Sequence, residues 1–169
     1  PFIPQEQTNH CGVVSLAMAL DHYGVPYDID NLTTQAFIPF LDGSSLQLLA
    51  DTAGRYGLSV SRQDADAHAL KTMLSQTCLP LIYLLPDKKQ QAGHFALVTG
   101  ISTDMRYIRI HGTSRADRWI RLSRLRRNTT DGKFPTLCLE RPFSASLPSS
   151  DVPEDLRQQY QGNPDAQEP

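Results

Sequence analysis

The chain has 169 residues, 40% of them apolar and 20% charged, the proportions of one folded domain with a core of its own. Sixteen Lys and Arg stand against 18 Asp and Glu, and the resulting charge of −2 gives no field to hold a nucleic-acid backbone. No apolar run approaches the roughly 18 residues needed to cross a bilayer, which excludes an integral membrane segment in this chain.

Val13, Leu16, Ala17 and Leu20 recur at helical spacing and Gly24 follows as a stop, so residues 12–23 predict a buried helix opening near Cys11. Asp28 and Asp30 offer N-caps to a short helix over 29–36. Residues 38–43 read as a loop, after which Ser44 or Ser45 caps a helix running through Leu46, Leu49, Ala50 and Ala53. Residues 58–61 alternate as a short strand, and 65–76 form a further helix on Leu70, Met73 and Leu74. The second half changes character: 81–85, 95–99, 107–110, 119–122 and 136–139 are short β-prone runs divided by turn residues, the pattern of an antiparallel sheet. Helices first and strands after predict an α+β domain. Trp119 is expected in its core, and the arginines from Arg115 to Arg127 on a solvated face.

From Ser144 the composition turns to Ser, Pro, Gln and acidic residues. Asp151, Glu154, Asp155, Asp165 and Glu168 against Arg157 give that stretch −4 and leave +2 on the rest. The domain is therefore placed at residues 1–143, and 144–169 as a disordered or loosely docked acidic tail. The first residues show no initiator Met, charged n-region or apolar h-region, and localisation is not read from this end.

Three cysteines are too few for a disulfide framework or a paired zinc site. Cys78 and Cys138 lie in apolar runs and read as small core residues. Cys11 differs, because Asn9-His10 precede it, Gly12 follows and a helix opens there. Unpaired backbone N–H groups and the positive end of the helix dipole favour an anion at that position, which is what a nucleophilic thiol needs. A base must hold its proton and donors must meet the oxyanion formed on attack at a carbonyl. His94 opens the apolar run 94–100 and is the candidate base. Gln5, six residues upstream of Cys11, offers a carboxamide N–H that joins the Cys11 backbone amide as oxyanion donor.

Phe2-Ile3-Pro4-Gln5, Cys11-Gly12, Ser15-Leu16-Ala17-Met18-Ala19-Leu20, Asp42-Gly43-Ser44-Ser45-Leu46 and Gly93-His94-Phe95-Ala96-Leu97-Val98-Thr99-Gly100 together resemble the bacteriocin-processing, double-glycine-leader cysteine peptidases. The likeness extends over roughly residues 1–142 and is nearest to the free-standing branch of bacterial envelope and secreted proteins. It implies a papain-like fold with N-terminal helices packed on a C-terminal antiparallel sheet. It also implies a Cys11–His94 pair with Gln5 as oxyanion donor, no cofactor, a peptide or protein substrate, and an envelope or secreted location.

The same family carries an Asp or Asn about sixteen residues after the histidine, orienting the imidazole. Here that stretch reads Ile108-Arg109-Ile110-His111-Gly112-Thr113, without a carboxylate. His111 is the first alternative, then Asp117, then Asp104, with the Thr113 or Ser114 hydroxyl or a backbone carbonyl also open. Two other classes of function stay in view. One is a non-catalytic module that keeps the fold to hold a peptide; the other is a metal-dependent hydrolase using Cys11, His10 and His94, which lack an obvious further ligand.

Overall fold

Three helices begin on a side chain that accepts a hydrogen bond from the amide three residues on, as an N-cap does. Asp28 caps α2 (Ile29–Ala36) through the Asn31 N–H at 2.8 Å. Ser45 caps α3 (Leu46–Arg55) through Leu48 at 3.1 Å, and Asp66 caps α4 (Ala67–Ser75) through Ala69 at 2.9 Å. The helix that starts the domain, α1 (Cys11–His22), has His10 at its N-cap and no side-chain cap bond. These elements belong to a computed structural model that describes residues 9–86, 92–111 and 118–142. The proposed tail at 144–169 lies outside the described residues.

Six strands form one sheet: β1 (Ser59–Ala65), β2 (Leu79–Leu84), β3 (His94–Ile101), β4 (Tyr107–His111), β5 (Arg118–Arg121) and β6 (Phe134–Glu140). Their order is β1-β6-β2-β3-β4-β5 and every pairing is antiparallel. Leu81 sits between Leu97 on one side and Leu137 on the other, so β2 lies at the centre. Leu79, Leu81, Phe95, Leu97, Leu137 and Leu139 make a first core with α1, α2 and α3. Ile82, Leu84, Ala96, Val98, Ile108 and Ile110 make a second with Leu70 and Met73 of α4 and with Leu125 of α5 (Leu122–Leu125). Burial on both faces is why β2 and most of β3 read as unbroken apolar runs, without the alternation of a half-exposed strand. Among the described residues no helix is long and apolar enough to cross a membrane.

In α1 every residue from Cys11 to Leu20 is buried. Helical spacing singles out only Val13, Leu16, Ala17 and Leu20, but Gly12, Ser15, Ala17 and Ala19 are small enough for the whole rod to sink. Gly24 takes φ +63° just past its end, the left-handed turn that glycine adopts at little cost.

Several expectations change. The strand predicted at 58–61 runs to Ala65, pairing with β6 from Ser59↔Glu140 to Ala65↔Phe134. It is an edge strand whose exposed Arg62, Gln63 and Asp64 hide the alternation. The loop at 38–43 contains a 3₁₀ turn, Pro39–Leu41, closed by Ile38 N–H to the Gly43 carbonyl at 2.7 Å. Trp119 is not a core residue: it is 49% exposed on β5 at the sheet's edge, with the Arg109 guanidinium 5.6 Å from its ring centre. Arg118, Arg121, Arg124, Arg126 and Arg127 are exposed, as the charge pattern suggests.

Cys78 and Cys138 are not plain core thiols, because they form a disulfide. The β2–β6 register puts Cys138 opposite Pro80, two residues past Cys78, and brings the two Cα atoms to 5.6 Å. A separation of 60 residues conceals that proximity in the sequence. Closing a loop of this length restricts the unfolded chain, so replacing both cysteines with Ala lowers unfolding stability by about 2–4 kcal/mol, read by urea melts of the two proteins.

Candidate active site

Cys11 sits on the first turn of α1, buried to 8% exposure. His10 makes no cap bond, and its ring lies against Phe37 with centroids 4.4 Å apart. The amides of the first turn are therefore not consumed by a capping side chain and face the thiol end of the helix. Cys11 Sγ accepts the Phe95 backbone N–H at 3.5 Å, joining α1 to β3. Phe95 is the residue after His94, and the bonds between that nitrogen and the preceding Cα put the His94 Cα within about 6 Å of the sulfur. Among the described residues there is no hydrogen bond between Sγ and the His94 ring.

The turn before the thiol is braced from the α2–α3 connection. Asn9, in a left-handed conformation at φ 66°, donates its side-chain amide to Asp42 at 2.6 Å; Asp42 is itself left-handed at φ 47°. Ser44 Oγ donates to the Ala36 carbonyl at 2.6 Å. Gly12 is pressed against this segment: a Cβ there would stand 2.6 Å from Ser44 Cβ and Oγ and 3.2 Å from a Leu49 methyl. The Cys-Gly pair and the Asp-Gly-Ser-Ser stretch, far apart in sequence, are thus two sides of one contact.

Burial dominates the charges. It pushes the Cys11 thiol above its ordinary value, and the amides of Phe95, Gly12 and Cys11 only partly offset this. It pushes the His94 imidazole below 6.5. The helix terminus alone would favour a thiolate, but desolvation overrides it. Both shifts run toward the uncharged form of each group.

The remaining sequence candidates fall in different places. Gln5 lies outside the described residues, as do Asp117, Thr113 and Ser114. His111 closes β4 opposite Leu97, three residues along β3 from His94, roughly 10 Å at strand rise. It lines a recess of about 370 Å³ with His22, Leu79, Thr99 and Arg109, beyond the far end of α1. Asp104 is excluded as the group orienting His94, because it stands in the turn after β3, at the other end of that strand. There it accepts hydrogen bonds from Ser102 Oγ at 2.7 Å and the Arg106 amide at 3.1 Å. His10, Cys11 and His94 do not gather as a ligand set; the described grouping of that kind is Cys78, Cys138 and Glu140, whose sulfurs are joined to each other. Tyr83, opposite Phe95 and packed on the core that contains Cys11, was not signalled by any sequence motif. Its only trace is the glycine at position 93.

Two outcomes follow from this geometry. Gly12→Ala forces the Ser44 segment aside and lowers stability by about 1–3 kcal/mol, and Ser44→Gly in the same chain recovers part of the loss, as thermal melts will show. If the burial of both groups sets their ionisation, kcat/KM for peptide cleavage rises through a midpoint below 6.5 as His94 loses its proton and shows no fall up to pH 9. A decline near pH 8 would instead report a resting thiolate–imidazolium pair.

The profile of the Peptidase C39 family matches residues 1–131. Among solved structures, a double glycine motif protease from an AMS/PCAT transporter, crystallised with its leader peptide, superposes with a TM-score of 0.66 at 22% identity, covering 83% of this chain and 91% of that one. The peptidase domain of Streptococcus ComA, a bi-functional ABC transporter of a quorum-sensing pathway, gives 0.65 at 20%, covering 82% and 96%. A C39-like peptidase from Bacillus anthracis gives 0.65 at 13%, covering 82% and 93%. None of the curated proteins matches. At such identities the structures speak for the fold, papain-like α+β, while the family profile spans most of the sequence. The chain therefore belongs to the Peptidase C39 family.

Proposed function

We propose that the protein is a cysteine peptidase of the double-glycine type, cutting a peptide bond through an acyl-enzyme on Cys11. The observation that carries this reading is the Phe95 amide held 3.5 Å from Cys11 Sγ, which fixes the thiol beside the backbone that bears His94. The neutral imidazole takes the S–H proton as the sulfur attacks the carbonyl carbon, and the carbonyl electron pair moves onto oxygen. The Cys11 backbone amide and the Gln5 carboxamide donate to that oxyanion. Collapse expels the amine, which leaves with the proton from His94, and a thioester remains. His94 then deprotonates water; its attack and a second collapse release the carboxylic acid and restore the thiol. The pull of burial toward the uncharged form of both groups suits this order.

A peptide substrate is supported by the leader peptide bound to the AMS/PCAT protease of similar fold. The Cys78–Cys138 disulfide supports an oxidising location, in the bacterial envelope or outside the cell. One observation favours the second reading, a peptide-binding module. The position sixteen residues after His94, where the family places its orienting carboxylate, holds Ile110, 5% exposed within the second core. A triad without that member keeps activity at a reduced rate, because the oxyanion donors still act.

An electrophilic peptide aldehyde or activity probe, located by mass spectrometry, separates the two. The adduct is expected on Cys11 and absent in Cys11→Ala. His94→Ala is expected to lower kcat by about a thousandfold or more. No adduct, or one on another residue, ends the peptidase reading.

A further inference from the structure

Tyr83 touches the chain on both sides of His94. It stands directly opposite Phe95 across the β2–β3 ladder, and the two rings pack at 4.8 Å and 40°. Its phenol end covers Gly93 so closely that a Cβ built there would overlap the hydroxyl and lie 2.6 Å from the Tyr83 ring edge. Gly93 has no unusual backbone angle, so the contact with Tyr83, and not conformation, is what a larger residue would violate. The ring thus presses on the residue before His94 and on the residue after it. The latter is the residue whose amide meets Cys11 Sγ. The phenol is also within electrostatic range of the thiol: burial first, and then the charge on Cys11, push its ionisation upward.

We propose that Tyr83 is a positioning residue for the reaction, an aromatic clamp on Gly93 and Phe95 that holds the intervening His94 and the Phe95 amide in register with Cys11. The clamp acts through packing of the ring, and Gly93 is its seat. The inference rests on the peptidase reading for its kinetic consequence, but the placement of His94 can be measured without turnover.

The test uses the full chain as Tyr83→Phe, Tyr83→Leu, Gly93→Ala and the Tyr83→Leu/Gly93→Ala double variant, each checked for cooperative melting. Two quantities are read: kcat and KM on a peptide substrate, and the titration midpoint of the His94 ring by NMR. Tyr83→Leu and Gly93→Ala are expected to lower kcat by up to about 100-fold with little change in KM, the cost of a displacement near 1 Å at a reacting group. Tyr83→Phe, which keeps the ring, stays close to wild type. The double variant is no worse than Tyr83→Leu, because the overlap at position 93 goes with the ring. The His94 midpoint moves up toward 6.5 in Tyr83→Leu as water reaches the imidazole, and stays in place in Tyr83→Phe.

A folded Tyr83→Leu with wild-type kcat and an unmoved His94 midpoint overturns the proposal, as do fully additive losses in the double variant. If Tyr83→Leu does not fold, Gly93→Ala decides on the same two quantities. If the wild-type protein cleaves no peptide, the peptidase reading fails on that result alone, and the His94 midpoints still decide whether Tyr83 positions the ring.

Discussion

A helix end and a strand end meet where the Phe95 amide reaches the Cys11 sulfur, and the rest of the architecture is arranged to keep them together. Neither end is free to move by itself. α1 is buried from Cys11 to Leu20, and β3 is covered by α1 on one face and by α4 on the other. A polar contact of this kind is modest in energy, so it reports alignment more than it creates it. The alignment comes from two cores that share the central strands as a common wall. Packing therefore sets the geometry here: the apolar residues of β3 decide where His94, at its head, can stand.

The price of that arrangement is desolvation. The buried Cys11 thiol and the half-buried His94 imidazole both lose water that would solvate their charges, and the positive end of α1 does not compensate for the thiol. Such an arrangement disfavours charge at the Cys11 end of α1. The braces around it follow the same logic. Asn9 with Asp42, Ser44 with the Ala36 carbonyl, and the close approach of Gly12 to Ser44 hold the turn before Cys11 against the α2–α3 connection.

Much of this was legible in the sequence, for reasons that differ between elements. α2 and α3 announce themselves through Asp28 and Ser45, because an N-cap is a local interaction within three residues, and α4 through the spacing of Leu70, Met73 and Leu74. Cys11 at the mouth of an apolar helix, and His94 at the head of an apolar strand, are visible for the same reason. What stayed hidden depends on contacts between distant segments. The Cys78–Cys138 bond exists only once β2 and β6 are in register, and the exposure of Trp119 only once β5 is known to be an edge. Tyr83 carries no motif, since its role comes from the strand across from it. The pull of burial on the Cys11 thiol is likewise a property of the assembled core and runs against the local expectation from the helix terminus.

The double burial of β3 also bears on His94. Ala96 and Val98 face away from the Cys11 sulfur, into the core beneath α4, with no exposure to solvent. A bulkier residue at either place would press on the strand that carries His94. The placement of His94 relative to Cys11 is thus open to adjustment from behind the sheet, by side chains that share no surface with the thiol.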